Sequence, residues 1–255
     1  MGVRAAAEGA PRRVALITGA SRGIGAACAR SLGAAGWDLM LTARSATDLQ
    51  ALARESSLHA VRAEWIAQDA LDPAGADALV GTTVETFGRL DALLCCAGVL
   101  KVASLLNVRD LDIDESLALN LLAPWRQARA AARVMVPNGS GRMVFISSIF
   151  GQVSAPNYSL YTVAKAGLIG LVRSLAVELA PHGVQVNAIA PGLVRTEMIA
   201  PAIDRFGEQR LTSTTPIGRI GEAEEIARAV RFLIDEAPDF LTGDVMAVDG
   251  GYLCR

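Results

Sequence analysis

Short apolar runs of β-type residues alternate with longer Ala-rich helical stretches from one end of this chain to the other. The runs predict seven strands, near Val14 to Thr18, Asp38 to Thr42, Val61 to Ala67, Asp91 to Cys96, Gly141 to Ser147, Val184 to Ile189 and Val245 to Val248. Between them the pattern predicts helices over Gly23 to Ala35, Ala46 to Ser56, Pro73 to Phe87, Asp112 to Val136, Asn157 to Ala180 and Glu222 to Ile234. Pro73 and Glu222 suit first-turn positions of their helices. Strand and helix in regular alternation define an α/β protein with a parallel sheet covered by helices on both faces. No internal repeat, low-complexity tract or Pro/Ser-rich linker marks a second domain, so residues 12–255 read as one unit. Residues 1–11 are Ala-rich and lack the apolar core of a secretory signal, which reads as a disordered extension. The one long irregular segment, Leu193 to Gly221, carries Pro201, Pro216 and several Thr and Ser; segments of that length are usually functional, and this one reads as a substrate lid.

Composition narrows the function classes. Of 255 residues, 52% are hydrophobic and 20% charged, with a formal net charge of −2, which excludes an electrostatic nucleic-acid binder. Apolar runs such as Val14 to Ile17 and Leu90 to Ala97 fall far short of the roughly 20 residues a membrane span needs, so a cytoplasmic protein without a span is expected. The cysteines at 28, 95, 96 and 254 have neither zinc-site spacing nor the density of a disulfide scaffold and read as free thiols. His59 and His182 stand in polar contexts without ligating neighbours and read as surface residues; no metal site is expected.

The chemistry concentrates in Tyr161-Thr162-Val163-Ala164-Lys165, with Ser148 thirteen residues before the tyrosine. On a helix, residues at i and i+4 share a face, so the ammonium can reach toward the phenol or toward something bound beside it. A free tyrosine has a pKa of about 10, and a fixed positive charge nearby pulls it down toward useful acid/base range. A serine hydroxyl on an adjacent strand would hold a substrate oxygen where the phenol exchanges a proton with it. The pair by itself equally describes a packed ring beside a solvated amine. Tyr158 has Thr162, not lysine, four residues on, and reads as a loop or pocket-wall residue.

After the first strand comes Thr18-Gly19-Ala20-Ser21-Arg22-Gly23-Ile24-Gly25 and then a helix. Glycines let backbone approach a ligand, and the helix N-terminus offers unpaired N–H groups to an anion such as a pyrophosphate. The spacing is Gly-x-x-x-Gly-x-Gly, not the Gly-x-Gly-x-x-Gly of the dinucleotide fingerprint. The second strand ends in Arg44 where a carboxylate would bind the ribose 2′-hydroxyl of NAD. Arg22 and Arg44 instead suit a phosphate dianion, favouring NADP(H), although two arginines are also common on plain surfaces. Asp69, after the third strand, suits an adenine amino group or a turn.

Together Thr18-Gly19-x-x-x-Gly23-x-Gly25, Asn120, Ser148, Tyr161, Lys165 and Pro191-Gly192 stand in the order and approximate spacing of the short-chain dehydrogenase/reductase family, and the chain resembles that family from about residue 12 to Asp249-Gly250-Gly251. The resemblance implies a single-domain Rossmann fold with a seven-stranded parallel sheet, hydride transfer with a nicotinamide cofactor and a tetramer. It implies Tyr161 as general acid/base, Ser148 orienting the substrate carbonyl, Lys165 on the nicotinamide ribose, and Asn120 holding a relay water behind the lysine. Gly19, Ser21, Arg22, Gly23, Ile24, Gly25, Arg44 and Asp69 would contact the cofactor, with Pro191, Gly192, Val194 and Thr196 clasping its carboxamide end. The family's Asn-Asn-Ala-Gly is here Cys95-Cys96-Ala97-Gly98; Ala97 and Gly98 still let backbone lie beside the ribose, while a side-chain hydrogen bond across the sheet is expected to be lost.

The leading expectation is an NADP(H)-dependent oxidoreductase acting on a small carbonyl or secondary alcohol, resembling 3-oxoacyl-carrier-protein reductases and small ketone or sugar reductases. The segment Gly151 to Asn157 and the lid should line the pocket, with Ile149, Phe150, Val153, Met198 and Phe206 as an apolar wall. Arg126, Arg129 and Arg133 share a helix face that serves a carrier protein, a subunit contact or solvent alike. The competing class is a sensor or scaffold that binds NADPH without turnover.

Overall fold

The computed structural model describes residues 12–57 and 61–254. The extension expected over 1–11 and the surface placement of His59 lie outside these residues.

Seven parallel strands form one sheet: β1 (Val14–Thr18), β2 (Asp38–Ala43), β3 (Ala63–Ala67), β4 (Ala92–Cys95), β5 (Gly141–Ile146), β6 (Val184–Pro191) and β7 (Val245–Val248), in the order β3-β2-β1-β4-β5-β6-β7. Ile17 of β1 lies opposite Leu41 on one side and Leu94 on the other. Strand order reverses at β1/β4, the place in an open α/β sheet where loops diverge and leave a crevice beyond the carboxyl ends of the strands. Thr18 and Cys95 end the two strands there.

Alternation along each strand feeds two cores. Ile17, Leu41, Leu94 and Ile146 pack under α1 (Gly23–Ala34), α2 (Ala46–Ser57) and α9 (Ala223–Arg231), through Leu32, Leu49 and Ile226. Leu16, Met40, Leu93 and Phe145 face the other side, under α3 (Gly75–Phe87), α5 (Ala123–Asn138) and α6 (Ser159–Leu179), through Leu79, Ala131 and Leu168. Burial on both faces explains why these strands are nearly all apolar.

Several expectations need correction. Pro73 lies before α3, whose first residue is Gly75, and Glu222 is not inside α9 but caps it: its side chain accepts from the Glu225 backbone while the Glu225 carboxylate accepts from the Glu222 N–H at 2.9 Å. The single helix expected over Asp112 to Val136 is two, α4 (Asp110–Leu117) and α5, joined by a wider turn over Ala118–Leu122 in which Ala123 N–H bonds Ala118 C=O. Pro124 explains the interruption, because it lacks the N–H that would reach the carbonyl four residues back, that of Asn120, and its ring crowds that carbonyl. The lid is not irregular throughout; it holds α7 (Ala200–Phe206) and α8 (Glu208–Thr212). No helix among the described residues is long and apolar enough to cross a membrane.

Candidate active site

The turn from β1 to α1 meets the start of the β4 loop closely. Gly19 adopts a left-handed φ of 67°, and a Cβ there would lie 2.6 Å from the Ala97 nitrogen; a Cβ on Gly25 would lie 2.2 Å from the Gly19 oxygen. No residue with a side chain fits either position without moving backbone. Arg22 precedes α1 without a side-chain cap, so the first N–H groups of that helix point outward unclaimed by any side chain. Ser21, Ile24, Ala97 and Gly98 line the same cavity, about 550 Å³ in volume, that runs from this turn over the carboxyl ends of the strands. Arg22 of the turn itself and Arg44, just after β2, also line the cavity, and neither guanidinium has an ion-pair or hydrogen-bond partner among the described residues. Asp69 lines it as well, and its Oδ1 accepts from the Leu71 N–H at 3.0 Å, so the turn role is filled while the other oxygen faces onward. Pro191, Gly192, Val194 and Thr196 line the cavity too, and Thr196 Cγ2 lies 3.1 Å from the position of a Gly23 Cβ, bringing the root of the lid against the glycine turn.

The glycine cradle, the free helix terminus and the two unpaired guanidiniums fit a nicotinamide dinucleotide. When bound, that group supplies or accepts the hydride.

Ser148 follows β5, and Tyr161 and Lys165 share the inner face of α6, so all three line the middle of the cavity. Tyr161 is 9% exposed and Lys165 4%. Burial pushes the Tyr161 phenol up to about 12, with hydrogen bonding to Ser148 pulling the other way. Burial also pulls the Lys165 ammonium down to about 8, partly opposed by Cys96 and Cys95. The expected lowering of Tyr161 by Lys165 is therefore not found in the protein alone. Lys165 Nζ donates to the Ile146 carbonyl at 2.8 Å and sits 5.6 Å from the centre of the tyrosine ring, above its face and not at its hydroxyl. Desolvation of both groups outweighs their mutual effect.

Asn120 is fully buried and does not line the cavity. Its Nδ2 donates to Val99 C=O at 2.9 Å and its Oδ1 accepts from Val99 N–H at 3.1 Å. A Cβ on Gly98 would lie 2.9 Å from Asn120 Oδ1 and 3.6 Å from Lys165 Nζ, so bare backbone is all that separates them. The amide is thus occupied in clamping the β4 loop.

The hydrogen bond expected to be lost with the paired asparagines is replaced. Cys95 Sγ donates to Gln127 Oε1 at 3.2 Å and Thr18 Oγ1 donates to the same oxygen at 3.4 Å. Gln127 was not singled out from sequence, although it stands two helical turns after Asn120 on the same face. Cys28 is buried and Cys96 half-buried beneath the turn, and Cys254 is exposed. Among the expected pocket-wall residues, Ile149, Phe150 and Met198 line the cavity; Val153 and Phe206 do not, because the lid's short helices turn Phe206 outward. Tyr158 lines it, and so does Tyr252 from the C-terminal turn. Of the three helix-face arginines, Arg129 and Arg133 pair with Asp77 and Arg126 lines the cavity.

A glycine cradle at a sheet's switch point with serine, tyrosine and lysine beyond it defines a nicotinamide-dependent oxidoreductase acting on CH–OH or C=O groups. Residues 19–253 match the family model described as enoyl-(acyl carrier protein) reductase. The chain belongs to the short-chain dehydrogenase/reductase family. It is 39% identical to the short-chain reductase protein NovJ of Streptomyces niveus, with 93% of each chain covered. It is 38% identical to the cis-4-hydroxycyclohexanecarboxylate dehydrogenase of Sinomonas cyclohexanicum, covering 96% of this chain and 98% of that one. It is 35% identical to the 3-oxoacyl-[acyl-carrier-protein] reductase FabG of Escherichia coli K12, covering 94% and 96%. Among solved structures, a short-chain type dehydrogenase/reductase from Mycobacterium marinum superposes with a TM-score of 0.90 at 32% identity, covering 95% and 96%. ElxO with NADP bound does so with 0.90 at 30%, covering 96% and 100%.

Proposed function

We propose that this protein is an NADP(H)-dependent reductase of small ketones, or of the 3-oxoacyl group of a thioester, run backward as a secondary-alcohol dehydrogenase. The observation that carries it is the convergence of Ser148, Tyr161 and Lys165 in the cavity that the glycine turn opens. The unpaired Arg22 and Arg44 support NADP(H), as does the NADP-bound relative ElxO. The 3-oxoacyl and hydroxycyclohexane substrates named for two relatives are both interconverted at a secondary carbon.

In this reading Ser148 Oγ, already accepting from the Phe150 N–H at 3.1 Å, still has its own proton to donate to a substrate oxygen. Tyr161, protonated far above neutrality, stands ready as the acid that completes the alcohol. Lys165 holds the ribose, and the proton given up by the phenol returns from solvent through a relay water held by Asn120 behind the lysine. The buried walls exclude water from the reacting carbon. The same reading makes the protein a cytoplasmic homotetramer, supported by exposed Leu111 and Trp125 on α4 and α5.

The test is NADPH and NADH oxidation against β-ketoacyl thioesters, cyclic ketones, α-diketones and keto sugars. Turnover with NADPH on one class is expected; cofactor binding without turnover on any ketone or its alcohol would favour the sensor. A pH dependence follows. Lys165 is a base with a lowered value, so its ammonium is present below about 8 and lost as pH rises through that value, while Tyr161 keeps its proton until about 12. Reductive kcat/KM for NADPH, which reports the free enzyme, should fall about tenfold per pH unit above that point. A profile flat to about pH 9.5 removes Lys165 from the proton path.

A further inference from the structure

Beyond Ser148 and Tyr161, the substrate half of the cavity is walled by three aromatic rings from three separate segments. Phe150 lies in the turn Ile149–Gly151, and its N–H is tied to Ser148 Oγ at 3.1 Å, which fixes the ring beside the hydroxyl that orients the carbonyl. Tyr158 stands at the start of α6, one helical turn before Tyr161. Its ring centre is 4.5 Å from that of Phe150 at 33° between planes. Asn157, just before it, has φ 73° and alone among the described non-glycine residues is left-handed, a conformation asparagine tolerates better than most. That reversal sets the direction in which Tyr158 leaves the chain.

Tyr252 comes from the far end of the sequence, in the turn Tyr252–Cys254. The turn is a built device. Both carboxylate oxygens of Asp249 are used in it, accepting from Gly251 N–H at 2.8 Å and Leu253 N–H at 2.9 Å. Gly250 and Gly251 are both left-handed, and a Cβ on Gly250 would lie 2.6 Å from Ile217 Cγ2, so the turn rests directly on the base of the lid. Ile217 N–H also donates to the Gly250 carbonyl at 3.1 Å. Tyr252 lines the same cavity as Phe150 and Tyr158. Met198, Ile199 and Leu211 line the lid side of the same space.

We infer that Phe150, Tyr158 and Tyr252 form a cup that selects ketones and secondary alcohols carried in or directly on a ring over flexible linear acyl chains, with Tyr252 as a specificity-determining residue. An aryl ring presents a flat face to offset or tilted aromatic neighbours, a saturated ring presents a compact apolar one, and either loses little rotational freedom on entering. A linear chain meets the same walls edge-on and must surrender several rotors. The Tyr158 phenol adds a donor for a polar substituent on the ring. This preference rests on the reductase reading above and decides between the two substrate shapes left open there.

The experiment compares NADPH oxidation with substituted cyclohexanones and aryl ketones against linear 2-alkanones and a short acetoacetyl thioester. The unmodified protein is expected to show kcat/KM about tenfold or more in favour of the ring substrates. Tyr252→Ala should lower kcat/KM about tenfold for ring ketones and only about threefold or less for linear ones, while Tyr252→Phe keeps most of the ring preference. The thermal midpoint and NADPH affinity of each variant check that the turn still folds; if the alanine variant does not, Tyr252→Leu, which keeps bulk without a flat face, gives the same comparison. A preference for linear ketones, or equal loss on both classes, overturns the inference and leaves the reductase reading standing. Absence of turnover with every ketone and with the matching alcohols overturns both.

Discussion

Replacing Tyr161 by phenylalanine is expected to lower kcat by about three to four orders of magnitude while leaving NADPH affinity within about twofold. The phenol is buried and its value is pushed up to about 12, so at neutral pH it is a proton donor and nothing else in the cavity duplicates it. Lys165 Nζ donates to the Ile146 carbonyl, and the Ser148 hydroxyl holds the substrate oxygen by a hydrogen bond without giving up its proton. The ring itself stays, so the packing of α6 against the cavity is kept, and only the hydroxyl and its hydrogen bonding with Ser148 go, worth about 1 kcal/mol of stability. Single-turnover measurement with saturating NADPH separates chemistry from binding. Activity equal to that of the unmodified protein would remove Tyr161 as the acid; an unmodified protein that binds NADPH and turns over no substrate would instead be a sensor.

The second large effect is on cofactor choice. Arg44→Ala should weaken NADPH binding about 10- to 100-fold, as expected for a charge-assisted contact with a phosphate, and NADH binding about twofold or less. Neither guanidinium has a carboxylate partner among the described residues, which leaves both available to an anion. Arg22→Ala should act in the same direction. Because the two would share one dianion, the double variant should lose less than the product of the single losses. Equal losses for NADPH and NADH on titration calorimetry would show that Arg44 serves the dinucleotide generally and does not read the 2′-phosphate.

Much of the frame is legible in the residues. β1 and β7 coincide with their predicted bounds, since each is a short apolar run flanked by glycine or charge, and β1 is buried on both faces. Tyr161 and Lys165 come together because helical periodicity alone puts i and i+4 on one face. The glycine turn is legible for a related reason: Gly19 and Gly25 stand where any Cβ would strike backbone. The break at Ala118–Leu122 was within reach, since Pro124 disallows a bond to Asn120, but a proline near a helix start ordinarily signals the first turn and not an interruption.

Other features depend on neighbours remote in sequence. Gln127 is ordinary until β1 and β4 bring Thr18 and Cys95 to its oxygen. Tyr252 joins Tyr158 only because Asp249 and two left-handed glycines fold the C-terminal turn over the base of the lid. Local pattern by itself determined the α/β frame and the shared face of Tyr161 and Lys165, which follow from periodicity, while the glycine turn and Ser148 were legible from motif and spacing. Tertiary structure alone decided the direction of Lys165, the protonation of Tyr161 and the shape of the substrate wall. Those depend on desolvation and packing, which exist only when distant segments close around a group and remove it from water.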